Sequence, residues 1–219
     1  MITFEEIKKN EAIKTYIKKA DESLVALGYT EHSFAHVTKV ALDAAKILET
    51  LGYPKREIEL AKIAGYMHDI GNLVNRNEHS QSGAIMAFRI LDKLGMDAEE
   101  MSTIVTAIGN HDEGTGVAVN AVAAALILAD KTDVRRTRVR NRDKARFDIH
   151  DRVNYSVERA VTKIDTATKT ITLDLTLDGE MSSVMDYFEI FLGRMVMCRN
   201  AAEKLGLTFS LIINGQKVI

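Results

Sequence analysis

Gly65-Tyr66-Met67-His68-Asp69-Ile70-Gly71 sets an imidazole beside a carboxylate at the end of an apolar stripe. Ile58, Ala61, Ala64 and Gly65 lead into it at spacings of three and four, which is one face of an α-helix. The same arrangement recurs along the chain. His36 shares a stripe with Val37, Val40, Ala41, Ala44 and Leu48; His111 follows Ile104, Ala107 and Ile108; Asp130 follows Ala123, Leu126 and Ile127. His79 opens a helix whose inner face carries Gly83, Met86 and Ile90. A single inward histidine is most often a hydrogen-bonded core residue, and a single aspartate at a helix end is most often a cap. Several such groups on apolar faces are a different matter, because each would otherwise prefer water or a paired partner. Imidazoles and carboxylates converging in an apolar interior are what a hard or borderline divalent metal requires. The small residues Ala64 and Gly65 leave room for helices to approach so that the ligands can meet.

In order along the chain, His36, His68-Asp69 and Asp130 resemble the HD-domain superfamily of metal-dependent phosphohydrolases. Gly65–Gly71 is similar to that family's core motif, and Ala129-Asp130-Lys131 to its closing motif. The additional His79, in His79-Ser-Gln-Ser-Gly83, and His111, in Asn110-His-Asp112, are similar to the branch that binds two metals. The resemblance covers about residues 30 to 150. Two departures narrow it. Asn72 stands where members with a signalling output often carry Lys. The stretch 110–116 is similar to that of the HD-GYP cyclic-dinucleotide phosphodiesterases, but it has Asn110 for their first His and no later Gly-Tyr-Pro, which argues against cyclic-dinucleotide hydrolysis. The arrangement looks nearer to small bacterial HD hydrolases that include symmetrical diadenosine tetraphosphate hydrolases.

The resemblance implies a ligand set. His36, His68, Asp69 and Asp130 would take one divalent ion; His79 and His111 would take a second, with Asp69 bridging. This donor set suits Mn, Fe, Co, Ni or Zn better than Mg alone. The implied chemistry is hydrolysis of a phosphoester or phosphoanhydride by metal-activated water, with a nucleotide or related phosphorylated small molecule as partner. Asp69 is then the central catalytic group, with Lys131 as leaving-group acid and Asp112 as an assisting base. Arg135 and Arg136 open a basic run, continued by Arg138, Arg140, Arg142, Lys144 and Arg146, that starts five residues after Asp130. Their guanidinium forks match phosphate oxygens, so these two are the expected substrate contacts. Glu113, Asp133 and Asn75 are further pocket candidates. His32 is expected to be exposed, with lining the pocket as the alternative, and neither it nor His150 is placed among the ligands. The competing reading is an HD-domain sensor that holds a ligand or regulates a partner without turnover. A nucleic-acid-binding role for the arginine run is weaker, because no aromatic platform accompanies it.

The expected fold is mainly α: an HD-type helical metal-binding domain over 1–150 and a small α+β appendage over 151–219. Helices are expected over about 4–27, 33–51, 55–70, 79–94, 97–110 and 118–132, punctuated by Gly52-Tyr-Pro54, Gly71-Asn72, Gly95 and Gly114-Thr-Gly116. Ile13, Ile17, Leu24 and Leu27 of the first would cap the bundle. Beyond residue 150, segments 157–164 and 170–177 alternate at period two about a hairpin loop at 165–169. A helix over 182–205 and a strand over 207–213, ending at the Asn214-Gly215 turn, complete a strand-strand-helix-strand unit. Such a unit is a marginal core alone and is expected to pack on the helical domain or to pair across a homodimer.

Composition bounds the rest. The 219 residues are 46% hydrophobic and 27% charged, with a net charge of −2, so nothing global favours nucleic acid. The one cysteine, Cys198, has no partner for an internal disulfide and reads as a small buried hydrophobe, consistent with a reducing cytoplasm. The N-terminus lacks a signal-peptide pattern, and no apolar run approaches the ~18 residues of a membrane span.

Overall fold

A computed structural model describes all 219 residues. Seven helices precede the basic run: α1 (Phe4–Lys9), α2 (Glu11–Ala26), α3 (Phe34–Thr50), α4 (Lys55–Met67), α5 (His79–Lys93), α6 (Ala98–Gly109) and α7 (Ala121–Lys131). After it come α8 (Ile149–Ser156), β1 (Val157–Asp165), β2 (Thr170–Leu177), α9 (Val184–Lys204), β3 (Thr208–Ile213) and β4 (Gln216–Lys217).

The single helix expected over 4–27 is two. Asn10 leaves the helical region (φ −70°, ψ 116°), and its side-chain oxygen accepts the amides of Ala12 and Ile13, so it starts α2. Asparagine competes for backbone groups in this way and therefore favours such breaks. Ile13, Ile17 and Leu24 are buried as expected, but Leu27, past the end of α2, is 63% exposed and does not cap the bundle.

The centre of the bundle is α7. From Val122 to Ala129 every residue is buried, as expected for a helix surrounded on all sides. It packs against α3, α4, α6 and α9, and its alanines permit that closeness. α3 and α4 approach so tightly that a Cβ added at Gly65 would lie 2.7 Å from the Ala41 Cα. Gly65 is therefore required for contact between backbones, not for a turn.

The appendage is a four-stranded sheet in the order β1-β2-β3-β4. β1 and β2 form the antiparallel hairpin, with an irregularity between Val157 and Arg159. β2 and β3 are parallel, from Thr170 beside Thr208 to Leu175 beside Ile213, so α9 serves as their crossover. Ile171, Leu173, Leu175 and Leu177 are buried at period two. β4 is an addition to the expected unit, and so is α8. The helical part and the sheet share one apolar cluster of 51 residues running from Phe4 to Ile213. α9 joins them by packing on both α7 and β3. No helix is long and apolar enough to cross a membrane.

Candidate metal centre

Five helices and one 3-10 turn deliver the six converging side chains. His36 lies in the first turn of α3, behind the Ser33 cap, and His68 ends α4. Asp69 precedes a 3-10 turn over Ile70–Leu73. His79 is the first residue of α5, entered through Glu78 in the left-handed region (φ 56°). His111 follows α6, and Asp130 lies in the last turn of α7. Gly71 allows the 3-10 turn to sit against α5: a Cβ there would fall 1.9 Å from the His79 carbonyl oxygen and 2.4 Å from the Gly83 nitrogen.

The carboxylate of Asp69 divides the cluster in two. Its Oδ2 lies 3.1 Å from His68 Nε2 and 3.6 Å from His36 Nε2. Asp130 Oδ1 closes that side at 3.3 Å from His36 Nε2 and 3.7 Å from His68 Nε2. Asp69 Oδ1 faces the other way, 3.4 Å from His79 Nε2 and 4.0 Å from His111 Nε2. Asn72 steadies this carboxylate from behind, donating through Nδ2 to Asp69 Oδ1 and to its backbone oxygen, both at 3.0 Å.

Every histidine is anchored through the nitrogen that faces away from the cluster. Nδ1 lies against an acceptor in each case: the Asp133 carboxylate for His36 (2.8 Å), the Gly65 carbonyl for His68 (2.8 Å), the Arg76 carbonyl for His79 (3.1 Å) and the Ile108 carbonyl for His111 (2.6 Å). These acceptors assign the proton to Nδ1 and leave Nε2 as a lone pair aimed inward. The Nε2 atoms of His79 and His111 then face each other at 3.2 Å. His36 Nε2, His68 Nε2 and Asp69 Oδ2 are buried without a hydrogen-bond partner in the protein. Lone pairs and carboxylate oxygens crowded together in a low-dielectric interior repel unless a cation lies between them. The donors therefore fit a divalent metal. His36, His68 and Asp130 form one group of ligand atoms all within 4.8 Å of one another, and His68, Asp69 and His111 form a second. The shorter contacts of His79 to Asp69 Oδ1 and to His111 place it with the latter.

The buried groups of the cluster act strongly on one another's charge. Burial pushes the Asp69 and Asp130 carboxyls up, but their cationic neighbours outweigh it and hold both well below the usual range: His68 first for Asp69, Lys131 first for Asp130. Burial, then His68 and Lys131, keeps His111 well below the ordinary imidazole value, which favours the neutral, ligating form. His79 is lowered as well, by burial and then by Arg76 against the pull of Asp69. His68 is the exception: burial lowers it, but the adjoining Asp69 outweighs burial and it ends raised, a direction that favours the imidazolium rather than the ligating form.

Asp69, His79 and Asp130 line the floor of a cleft of about 400 Å³, with His36, His68 and His111 buried behind them. Asp112 and Lys131 line it. Lys131 Nζ lies 2.8 Å from Asp130 Oδ2 and 3.8 Å from Glu113 Oε1, and Asp112 Oδ2 is 3.7 Å from His79 Nδ1. Arg135 and Arg136 do not reach the cleft. Arg135 turns back to grip Asp133, donating from Nε to Oδ1 (2.6 Å) and from Nη2 to Oδ2 (3.0 Å). Arg136 lies over the Tyr155 ring, 3.8 Å from Glu158. The run 135–146 falls into two 3-10 turns rather than a helix, so its side chains scatter and Arg138 is the member that lines the cleft. Asp133 does not line this cleft: its side chain is fully buried as the carboxylate behind His36, and His36 and Arg135 hold it low against the opposing effect of burial. Asn75 does not line the cleft, whereas Glu113 does. For His32 the alternative holds: it is half-buried in the cleft wall, its ring Nδ1 2.7 Å from the Thr30 carbonyl oxygen. Arg76 and Arg194 also line it; neither stands out in the sequence, because each follows no run and no motif.

A family model described as HD domain matches residues 33–152. An uncharacterised protein of Methanocaldococcus jannaschii is 28% identical over 200 residues, covering 81% of this chain and 76% of that protein. A crystal structure of a predicted HD superfamily hydrolase from an uncultured Thermotogales bacterium is 21% identical, with a TM-score of 0.46 over 61% of this chain and 75% of the other.

Proposed function

This chain belongs to the HD-domain family, and from that premise we propose that it is a metal-dependent phosphohydrolase acting on a nucleotide or a related phosphorylated metabolite. The observation that carries the reading is the orientation of the four imidazoles, each tethered at Nδ1 and presenting Nε2 to the two faces of one carboxylate. His36, His68, Asp69 and Asp130 would hold one divalent ion, and His79, His111 and Asp69 a second. A bound pair of this kind supplies Lewis acidity to a phosphoryl oxygen and lowers the pKa of water.

The chain's own residues supply the rest. Lys131, fixed between Asp130 and Glu113 at the cleft floor, is placed to give a proton to the departing oxygen. Asp112, beside the ring of His79, serves as an acceptor for the proton of the attacking water. Positive groups around the floor oppose the charge that accumulates on the phosphoryl oxygens in the transition state. No serine or cysteine nucleophile is called for.

The test is phosphate release from a panel of nucleotides and dinucleoside polyphosphates with Mn²⁺, Co²⁺ or Fe²⁺, the Asp69→Ala variant beside the wild type. Turnover by the wild type and its loss in the variant support the proposal and rank the substrates. Bound metal with no turnover on any substrate overturns it in favour of a sensor.

A further inference from the structure

Arg138 differs from the other basic residues at the cleft in how it is held. Its side chain is only 6% exposed. Nε donates to the Glu31 carbonyl oxygen at 2.9 Å and Nη1 to the Asp133 carbonyl oxygen at 2.8 Å. The Glu31 amide in turn donates to the Arg138 carbonyl oxygen at 2.8 Å, so the two residues are clamped both ways. Carbonyls fix the guanidinium without neutralising it. The nearest acid, Asp133, approaches Nη1 at only 3.9 Å and is already engaged by His36 and Arg135. Nη2 makes no hydrogen bond in the protein, is not among the fully buried unpartnered atoms, and belongs to a residue of the cleft wall.

Two of the neighbouring cations are paired with acids. Lys131 is paired with Asp130 and Glu113, and Arg194 donates to Glu113 at 2.6 Å. Arg76, which has no carboxylate partner, stacks on Tyr29 and is divided between Asn72 Oδ1 at 3.3 Å and His79 Nε2 at 3.4 Å, so unlike Arg138 it is not fixed by carbonyls. Arg138 is thus a buried, rigid charge beside the candidate metal centre, with no carboxylate in hydrogen-bond contact and its nearest one shared with two other groups. Such a charge is costly to bury unless an anion completes it.

We propose that Arg138 is the anchor for a phosphate dianion in the cleft, with Nη2 donating to a phosphoryl oxygen that does not take part in bond cleavage. The inference rests on the reading of the cleft as a phosphate-processing site and specifies which residue recognises the group. The ligand class is a phosphate monoester or the terminal phosphate of a nucleoside polyphosphate. A fork already immobilised by two carbonyls loses little further freedom on binding, which makes it a better receptor than a free surface arginine.

The experiment is calorimetric titration of inorganic phosphate into the metal-loaded full chain, wild type against Arg138→Gln and Arg138→Lys, with melting temperature and metal content recorded for each. Loss of one charge-assisted hydrogen bond predicts a Kd raised by about tenfold or more in the Gln variant and by less in the Lys variant. Unchanged phosphate affinity in a folded, metal-replete Gln variant overturns the proposal, as does a wild type that binds no phosphate. Because Arg138 also ties residue 31 to the segment after α7, the Gln variant has a route to misfolding, and a second measurement uses the wild type alone. In nitrogen-15 NMR of the arginine side chains, saturating phosphate should shift the Arg138 guanidinium signals and leave those of the exposed Arg146 in place. Arg138 signals that do not respond to phosphate contradict the assignment. Arg138-dependent phosphate binding without turnover leaves this inference standing and removes the hydrolase. Turnover with phosphate binding indifferent to Arg138 does the reverse.

Discussion

Replacing Asp133 with asparagine tests whether the hydrogen bonds behind the imidazoles, rather than the ligands alone, build this site. Asp133 has no solvent-exposed side-chain surface and accepts from His36 Nδ1 at 2.8 Å and from Arg135 at 2.6 and 3.0 Å. The Arg135 side chain is 32% exposed and can turn into water, so its pairing contributes little after screening. The loss therefore falls on the buried bond to His36. A charge-assisted hydrogen bond contributes about 1.5–3 kcal/mol, and the asparagine oxygen still accepts, so roughly half is lost, about 1 kcal/mol of stability. The larger effect is on the metal. Without the carboxylate, the imidazole is less basic and its tautomer less firmly set, which typically weakens metal affinity about 10–100-fold, or roughly 1.4–2.7 kcal/mol. Competition against a chromophoric chelator measures this in the folded variant. Affinity within about twofold of wild type would refute the reasoning and leave Asp133 as a partner for arginine only.

Three further outcomes follow from the packing and burial described above. Gly71→Ala should cost about 1–3 kcal/mol or more in denaturant unfolding and impair metal binding at His79, because the new Cβ collides with the His79 carbonyl at 1.9 Å; a variant with wild-type stability would mean the 3-10 turn moves freely. Gly65→Ala should destabilise by a similar amount, since Ala41 backbone lies 2.7 Å from the added carbon and α3 must separate from α4, taking His36 from His68; circular dichroism melts check it. Cys198 should resist alkylation in the native protein at pH 8 and react promptly in denaturant, because burial shields the thiol and pushes it up to about 12, so that almost no thiolate is present at pH 8; rapid native labelling with iodoacetamide would contradict it.

The six converging residues are readable from sequence because each ends or begins a regular helix face, where spacings of three and four tell inside from outside. Arg138 was not singled out for the opposite reason. The segment after α7 has no sustained period, and in successive 3-10 turns neighbouring arginines point to unrelated places, so nearness to Asp130 wrongly favoured Arg135 and Arg136. Asp133 needed the third dimension, since its partner His36 is 97 residues away. α8 was missed because its eight residues are largely polar, with Val153 as the buried apolar anchor. The break at Asn10 did carry a local signal, an asparagine followed by a glutamate. In the appendage, period-two alternation marked β2, but nothing within a strand announces its neighbour, and the parallel pairing of β2 with β3 follows from α9 lying between them.

Metal stoichiometry by elemental analysis, after equilibration with Mn²⁺ or Co²⁺ and removal of free ion, probes the divided cluster itself. The geometry predicts two ions per chain in the wild type, about one in His111→Ala, where only the His79 side is depleted, and fewer still in Asp69→Ala, where both sides lose their shared carboxylate. A wild type that retains a single ion, with occupancy unchanged in His111→Ala, would contradict the two-metal account.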